Sequence, residues 1–312
     1  MDVSVVIPIY NEEKNIQTLF DRLNKVFSTL SIQSFEFVFV NDGSADGSMA
    51  LLKELSEQQG FVKYVDLSRN FGHQIAVTAG LDYCKGDRIV IIDADLQDPP
   101  ELIKNLLDKM DEGYDVVYAK RKTRKGESFL KKLTAKWFYR TLDRITAVKI
   151  PVDTADFRII SRRVLTVLQQ MPEREKFLRG QIAWMGFNQT YIEYDRDERL
   201  AGSSGYTWRK MIGFALDGIT SFSNFPLKVA TISGFVVSFI SFFLMLYALY
   251  SRFVLKVYEP GWTSLILSVL FIGGIQLFSI GIIGEYIGRI SNNVKQRPLY
   301  LVKDTNKQEQ EA

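Results

Sequence analysis

The sequence predicts an α/β domain on a mainly parallel sheet, followed by a two-helix transmembrane hairpin. Three observations lead there. Short β-rich apolar runs alternate with amphipathic stretches through the first half of the 312 residues. The strand-like runs are apolar almost without interruption, as strands covered on both faces are. Far downstream, Val229–Tyr250 and Gly261–Gly284 carry no charge, and each is long enough to cross ~30 Å of hydrocarbon.

Taken in order, Val3–Ile9 reads as a buried strand and is followed by a helix through Ile16, Leu19, Leu23 and Val26. Phe35–Val40 is the second strand and Met49–Leu55 belongs to the second helix. Val62–Leu67 is a strand, Gln74–Tyr83 a helix, and Arg88–Ile92 the fourth strand. Leu102–Met110 makes a further helix before the strand Val116–Ala119.

The polar residues fall at one kind of place. Tyr10-Asn11-Glu12 follows the first strand, Asn41-Asp42-Gly43-Ser44 the second, Ser68-Arg69-Asn70 the third and Asp93-Ala94-Asp95 the fourth. The carboxyl ends of parallel strands share one edge, where open α/β sheets bind ligands and helix N-termini favour anions. Four clusters converging there make a site. Asn11 and Ser44 read equally well as helix N-caps. No Gly-x-Gly-x-x-Gly follows the first strand and no Walker-type Gly-Lys-Ser/Thr occurs, which argues against a nicotinamide dehydrogenase and a P-loop nucleotidase.

Composition narrows the chemistry. A net charge of +3 is too small to argue for nucleic acid. With one cysteine, Cys84, and one histidine, His73, neither a disulfide framework nor a Cys/His zinc site is expected. Any metal is then held by oxygen, which points to Mg²⁺ or Mn²⁺. Asp93 and Asp95, one residue apart just after a strand, suit such a cation and a diphosphate bound to it. The N-terminus lacks a basic region before its apolar run, so the first domain is expected in the cytoplasm.

The apolar pair is joined by the turn-like Tyr258-Glu259-Pro260-Gly261, which predicts an antiparallel hairpin. Arg209, Lys210 and Lys228 precede it and Arg289, Lys295 and Arg297 follow it, against Arg252 and Lys256 between the spans. The positive-inside rule places both termini in the cytoplasm. Trp208, Met211, Ile212, Ala215, Ile219 and Phe222 repeat at helical spacing and predict an amphipathic helix on the membrane surface. Gly273, Gly274, Gly281, Gly284 and Gly288 permit close backbone approach, within the hairpin or in a homo-oligomer. The expected boundaries are a cytoplasmic domain over 1–204 and an interfacial helix over 205–225. Spans follow at about 227–251 and 262–287 within 226–290, then a cytoplasmic tail over 291–312.

The ordered motifs resemble family 2 glycosyltransferases. They are Val5-Val6-Ile7-Pro8-Ile9-Tyr10-Asn11-Glu12, Val40-Asn41-Asp42-Gly43-Ser44, Leu67-Ser68-Arg69-Asn70-Phe71-Gly72, Asp93-Ala94-Asp95-Leu96-Gln97-Asp98 and Thr154-Ala155-Asp156-Phe157-Arg158. With the two spans, nearly the whole chain is similar to the polyprenyl-phosphate glycosyltransferases, the dolichol-phosphate mannose synthase-like branch, and within it to bactoprenol glucosyltransferases. That resemblance implies a GT-A type, Rossmann-like nucleotide-sugar-binding domain at the bacterial inner membrane. It implies inverting transfer of a hexose, glucose from UDP-glucose above all, to undecaprenyl phosphate.

The same resemblance places Pro8, Tyr10, Glu12 and Asp42 around the nucleotide, with Asp42 near the base. Asp93 and Asp95 would meet the ribose and the metal–diphosphate, Asp95 as the direct ligand and Gln97 completing the shell. Asp156 would face sugar or acceptor. His73 stands where a lysine or another polar residue is expected, and reads as a helix-start residue as readily as a catalytic one.

A polyprenyl phosphate is already nucleophilic near neutral pH, whereas a hydroxyl acceptor would need a base, for which Asp156 is the first candidate. Two anionic substrates repel, and arginine geometry suits phosphate. Arg196 and Arg199 are favoured for that task over Arg121 and Arg124, and Arg199 joins Asp95 and Asp156 among the catalytic candidates. Alternatives within the class are GDP-mannose or UDP-N-acetylglucosamine as donor and a glycolipid acceptor. A processive polysaccharide synthase would need more spans, and a flippase-like or structural protein would leave the acidic clusters unexplained.

Overall fold

The computed structural model describes residues 1–122, 154–194, 225–250, 253–254 and 261–306. They fall into two compact units: the N-terminal part together with the residues after Gln296, and the pair of long helices.

The first unit is built on one eight-stranded sheet. Its strands are β1 (Val3–Ile9), β2 (Phe35–Asn41), β3 (Val62–Leu67), β4 (Arg88–Ile91), β5 (Val116–Arg121), β6 (Thr154–Ser161), β7 (Gln189–Tyr194) and β8 (Val302–Thr305), in the order β7-β5-β6-β4-β1-β2-β3-β8. The four central strands β4-β1-β2-β3 run parallel, as the strand–helix alternation predicts. Between them run α1 (Glu13–Ser28), α2 (Ser48–Gln58) and α3 (His73–Tyr83). Later come α4 (Ile103–Asp111), α5 (Arg162–Gln169) and α6 (Leu178–Trp184).

Alternation along each strand feeds two cores. Val3, Val5, Ile7 and Ile9 pack with Ile16, Leu19 and Leu23 of α1 on one face of the sheet, while Val6 packs on the other with Ala76, Val77 and Leu81 of α3. The approach of α3 is close: a Cβ added at Gly80 would lie 2.3 Å from Val6 Cγ1. Two buried polar side chains, Ser4 and Glu36, satisfy one another and the neighbouring backbone. Ser4 Oγ donates to Glu36 (2.7 Å), and the Lys85 and Gly86 amides donate to Glu36 and Ser4.

Two features depart from the alternating pattern. β6 inserts antiparallel between β4 and β5, so the sheet is mixed beyond β4. At the other edge β8, from the predicted tail, pairs antiparallel with β3. The Ser68 amide bonds the Leu301 carbonyl, Asp304 pairs with Lys53 (2.6 Å), and Tyr300 donates to Asp82 (2.9 Å). A four-residue strand with two charges carries too little apolar pattern to be read before its partner edge is known.

The second unit consists of α7 (Phe225–Tyr250) and α8 (Trp262–Val294). Both are long and apolar enough to cross a membrane, and none of the qualifying windows is buried within the protein. Pro226 lies in the first turn of α7, where its missing N–H costs nothing. The helices contact one another, but among the described residues nothing lies within 4 Å of a Cβ built at Gly273, Gly274, Gly281, Gly284 or Gly288. The predicted interfacial helix before Phe225 lies outside the described residues.

Candidate active site

The carboxyl ends of β1, β2 and β3 finish level, with Ile9 opposite Asn41 and Asn41 opposite Asp66. The loops beyond them are stapled together. The Asn11 amide donates to Ser44 Oγ (2.9 Å) and Asn11 Oδ1 accepts from the Ala45 amide (2.8 Å). Neither residue caps a helix: α1 has Glu12 at its N-cap and α2 has Gly47. Asn11 sits at φ 56°, a left-handed conformation asparagine tolerates better than most residues. Pro8 is buried inside β1, Tyr10 stands half exposed at its end, and Glu12 accepts from Asn15 (2.5 Å).

Asp42 is buried, and its two carboxylate oxygens accept from the backbone amides of Phe71 (2.7 Å) and Gly72 (2.9 Å). It therefore braces the loop after β3, whose course over Gly43 is tight. A Cβ at Gly43 would lie 2.5 Å from the Arg69 carbonyl carbon. This loop ends where α3 begins, at His73.

Asp93, Ala94 and Asp95 follow β4. The antiparallel pairing of Ile91 with Arg158 carries Asp93 level with Asp156. The turn is closed by the Gln97 amide on Asp95 Oδ1 (3.1 Å), and it holds buried Leu96 at φ 58°. A leucine in the left-handed region costs about 1–2 kcal/mol, and such strain gathers at functional sites. Asp98 is buried and accepts from Tyr194.

His73 joins the two acidic elements. Its Nε2 lies 3.3 Å from Asp156 Oδ2 and 3.6 Å from Asp93 Oδ1. Desolvation opposes a charge there, but Asp93 and Asp156 outweigh it and push the imidazole up to about 9. Desolvation and the charges of Asp156, Asp98 and Asp95 push Asp93 up to about 6, against the pull of His73. Asp156 is the opposite case. Burial would raise it, but the hydrogen bond from His73 and the charges of Arg158 and Arg179 hold it well below the usual carboxylate range.

Arg158 is 1% exposed; it donates through Nη2 to Asp156 Oδ1 (2.5 Å) and through Nε to the Asp156 carbonyl (3.0 Å), and lies over the Tyr118 ring. Arg179, from α6, reaches the same Oδ1 at 3.4 Å. Three buried atoms in this cluster lack a hydrogen-bond partner among the described residues: Asp93 Oδ1, Arg158 Nη1 and Arg179 Nε.

Asp93, Asp95 and Asp156 are thus brought together, and the arginines beside them among the described residues are Arg158 and Arg179. Arg121 closes β5 opposite Tyr194, and Arg124, Arg196 and Arg199 lie outside the described residues. Sequence reasoning passed over Arg158 and Arg179. Arg158 had a readable signal, a charge two residues after Asp156 in an otherwise apolar strand, hence on the same face. Arg179 had none.

Among the described residues no three His, Cys, Asp or Glu side chains form a metal cage. Mg²⁺ or Mn²⁺ held with a diphosphate needs no cage, since one or two carboxylates, phosphate oxygens and water complete the shell. Asp95, beside an Asp93 Oδ1 that makes no hydrogen bond among the described residues, fits that demand.

Residues 4–168 match the model of glycosyl transferase family 2, and residues 225–290 that of the GtrB C-terminal hairpin. An uncharacterized glycosyltransferase of Synechocystis sp. is 47% identical, covering 97% of this chain and 95% of that protein. The bactoprenol glucosyl transferase of Shigella phage SfII is 41% identical, covering 98% and 99%. A prophage bactoprenol glucosyl transferase homolog of Escherichia coli is 40% identical, covering 98% and 100%.

Proposed function

The chain belongs to glycosyl transferase family 2, and we propose that it transfers glucose from UDP-glucose to a polyprenyl phosphate, undecaprenyl phosphate above all. The relatives named as bactoprenol glucosyl transferases support this donor sugar and acceptor class. The observation that carries it is the state of Asp156, whose carboxylate is held by His73, Arg158 and Arg179 together. Such a carboxylate is a feeble base, poorly suited to deprotonating a hydroxyl. An acceptor that arrives ionised, as a lipid phosphate does, needs no base.

An acceptor phosphate oxygen then attacks the anomeric carbon, forming a C–O bond as the bond from that carbon to the UDP oxygen breaks. The electron pair leaves with UDP, and the configuration inverts. Asp95, with Asp93 and the Gln97 side chain, is the candidate holder of Mg²⁺ or Mn²⁺, which when bound neutralises charge growing on the departing diphosphate. Pro8, Tyr10, Glu12 and Asp42 are the candidate nucleotide contacts, Asp42 also acting through the Phe71–Gly72 loop.

The chain on both sides of the helix pair belongs to the same compact unit. An even number of crossings satisfies that connectivity. With the basic residues flanking the pair, it supports a hairpin with both termini cytoplasmic.

The full chain in detergent with Mg²⁺, labelled UDP-glucose and undecaprenyl phosphate should yield a labelled lipid, and Asp95→Asn should abolish it. Full activity in that variant overturns the metal assignment. Labelling only from GDP-mannose or UDP-N-acetylglucosamine overturns the donor, and no labelled lipid from any donor overturns the acceptor.

A further inference from the structure

We propose that Arg179 contacts the phosphate of the acceptor lipid and sets the preference for an anionic nucleophile, an inference that rests on the acceptor class proposed above. The two arginines beside Asp156 are unequal. Arg158 is fully buried and holds Asp156 Oδ1 at 2.5 Å while its Nε holds the carbonyl of the same residue. Its Nε and Nη2 are both engaged by Asp156, and its remaining donor, Nη1, is buried. Arg179 reaches that already engaged oxygen only at 3.4 Å, its Nε has no partner among the described residues, and its side chain is 22% exposed. A guanidinium used through one long contact keeps most of its fork available, and a fork of parallel N–H donors is what a phosphate accepts.

Position decides which anion it takes. Asp156 turns Oδ2 to His73 and Oδ1 to the arginines, so charge alternates along a row from Asp93 through His73 and Asp156 to Arg179. A metal–diphosphate belongs at the Asp93–Asp95 end. A second anion is repelled there and attracted to the arginine end. Arg179 is also placed with respect to His73, because the amide of the preceding Leu178 bonds the side chain of Gln74, the residue after His73 (3.3 Å). One framework thus orients the row and the arginine that terminates it.

The test is steady-state kinetics of the full chain in nanodiscs, varying undecaprenyl phosphate and UDP-glucose separately, for Arg179→Gln and Arg179→Lys. Loss of a charge-assisted contact should raise the acceptor KM of Arg179→Gln about 10- to 100-fold, with the donor KM moving less than twofold. Lysine, a point charge without the fork, should restore part of the loss. An unchanged acceptor KM, or a fall in kcat with a risen donor KM shared by both variants, overturns the proposal, the latter because Arg179 would then serve only to hold Asp156. Wild-type protein that labels no polyprenyl phosphate overturns the functional reading itself, and this inference falls with it.

Discussion

His73 Nε2 lies 3.3 Å from Asp156 Oδ2, tying the first residue of α3 to the start of β6 across the ends of the central strands. That contact sets the lone histidine of the chain among the acidic residues of the candidate site as well as at the start of a helix.

Replacing it should therefore damage both catalysis and the pH-dependent part of stability. His73→Gln is expected to lower kcat about 10- to 100-fold, the range for loss of a positioned charged hydrogen bond. Its melting temperature should fall near pH 6, where the charged imidazole contributes in full, and change little above about pH 9. Transfer rates and thermal unfolding of the same preparation check both parts.

His73 also implies a pH signature. Its folded pKa, about 9, lies above the ordinary 6.5. The stabilisation it brings is fully present below about pH 6.5 and is lost as pH rises through about 9. Metal-free protein in EDTA should show a melting temperature that declines across that window, and His73→Gln should flatten the decline.

Arg158 is the buried member of the cluster, and removing it leaves Asp156 with weaker partners. Arg158→Met should destabilise the first unit by about 3 kcal/mol, because breaking a buried ion pair strands a charge. Thermal unfolding in detergent reads the change, and a loss below ~1 kcal/mol would show that His73 and Arg179 suffice.

Gly80 tests the packing of α3 on β1. A methyl group there meets Val6 Cγ1 at 2.3 Å and Val40 Cγ2 at 3.0 Å, inside a core without slack. Gly80→Ala should cost about 1–3 kcal/mol despite its better helix propensity. A stabilised variant would mean that α3 can move off the sheet freely.

The strand after the helix pair offers a last test. Ending the chain at Gln296 removes β8 and bares the edge of β3, together with the bonds of Tyr300 and Asp304. Such a chain should lose stability and self-associate, as uncovered edge strands do. Size-exclusion chromatography in detergent should show the shift, and a second change, Asp304→Ala in the full chain, should lower stability by less than ~1 kcal/mol without it.

What was legible in the sequence was what local pattern controls. The near-continuous apolar runs Val3–Ile9 and Ile89–Ile91 with helical stretches between them announce parallel strands, because a strand covered on both faces needs apolar residues at both parities. The charge-free runs within α7 and α8 announce bilayer length in the same way. The acidic pair Asp93 and Asp95 was visible because it follows such a strand directly.

Only the tertiary structure decided what stands beside that pair. The antiparallel insertion of β6 sets Asp156 level with Asp93, and Arg179 arrives from a short helix of no distinctive pattern. Asn11 and Ser44, each plausible as a helix cap by type, bond across two loops instead. These outcomes depend on which strand edges pair and which loops meet, contacts between residues tens of positions apart that leave no period in the chain. Sequence determined the sheet edge at which the candidate site lies. Strand pairing decided which charges face one another there.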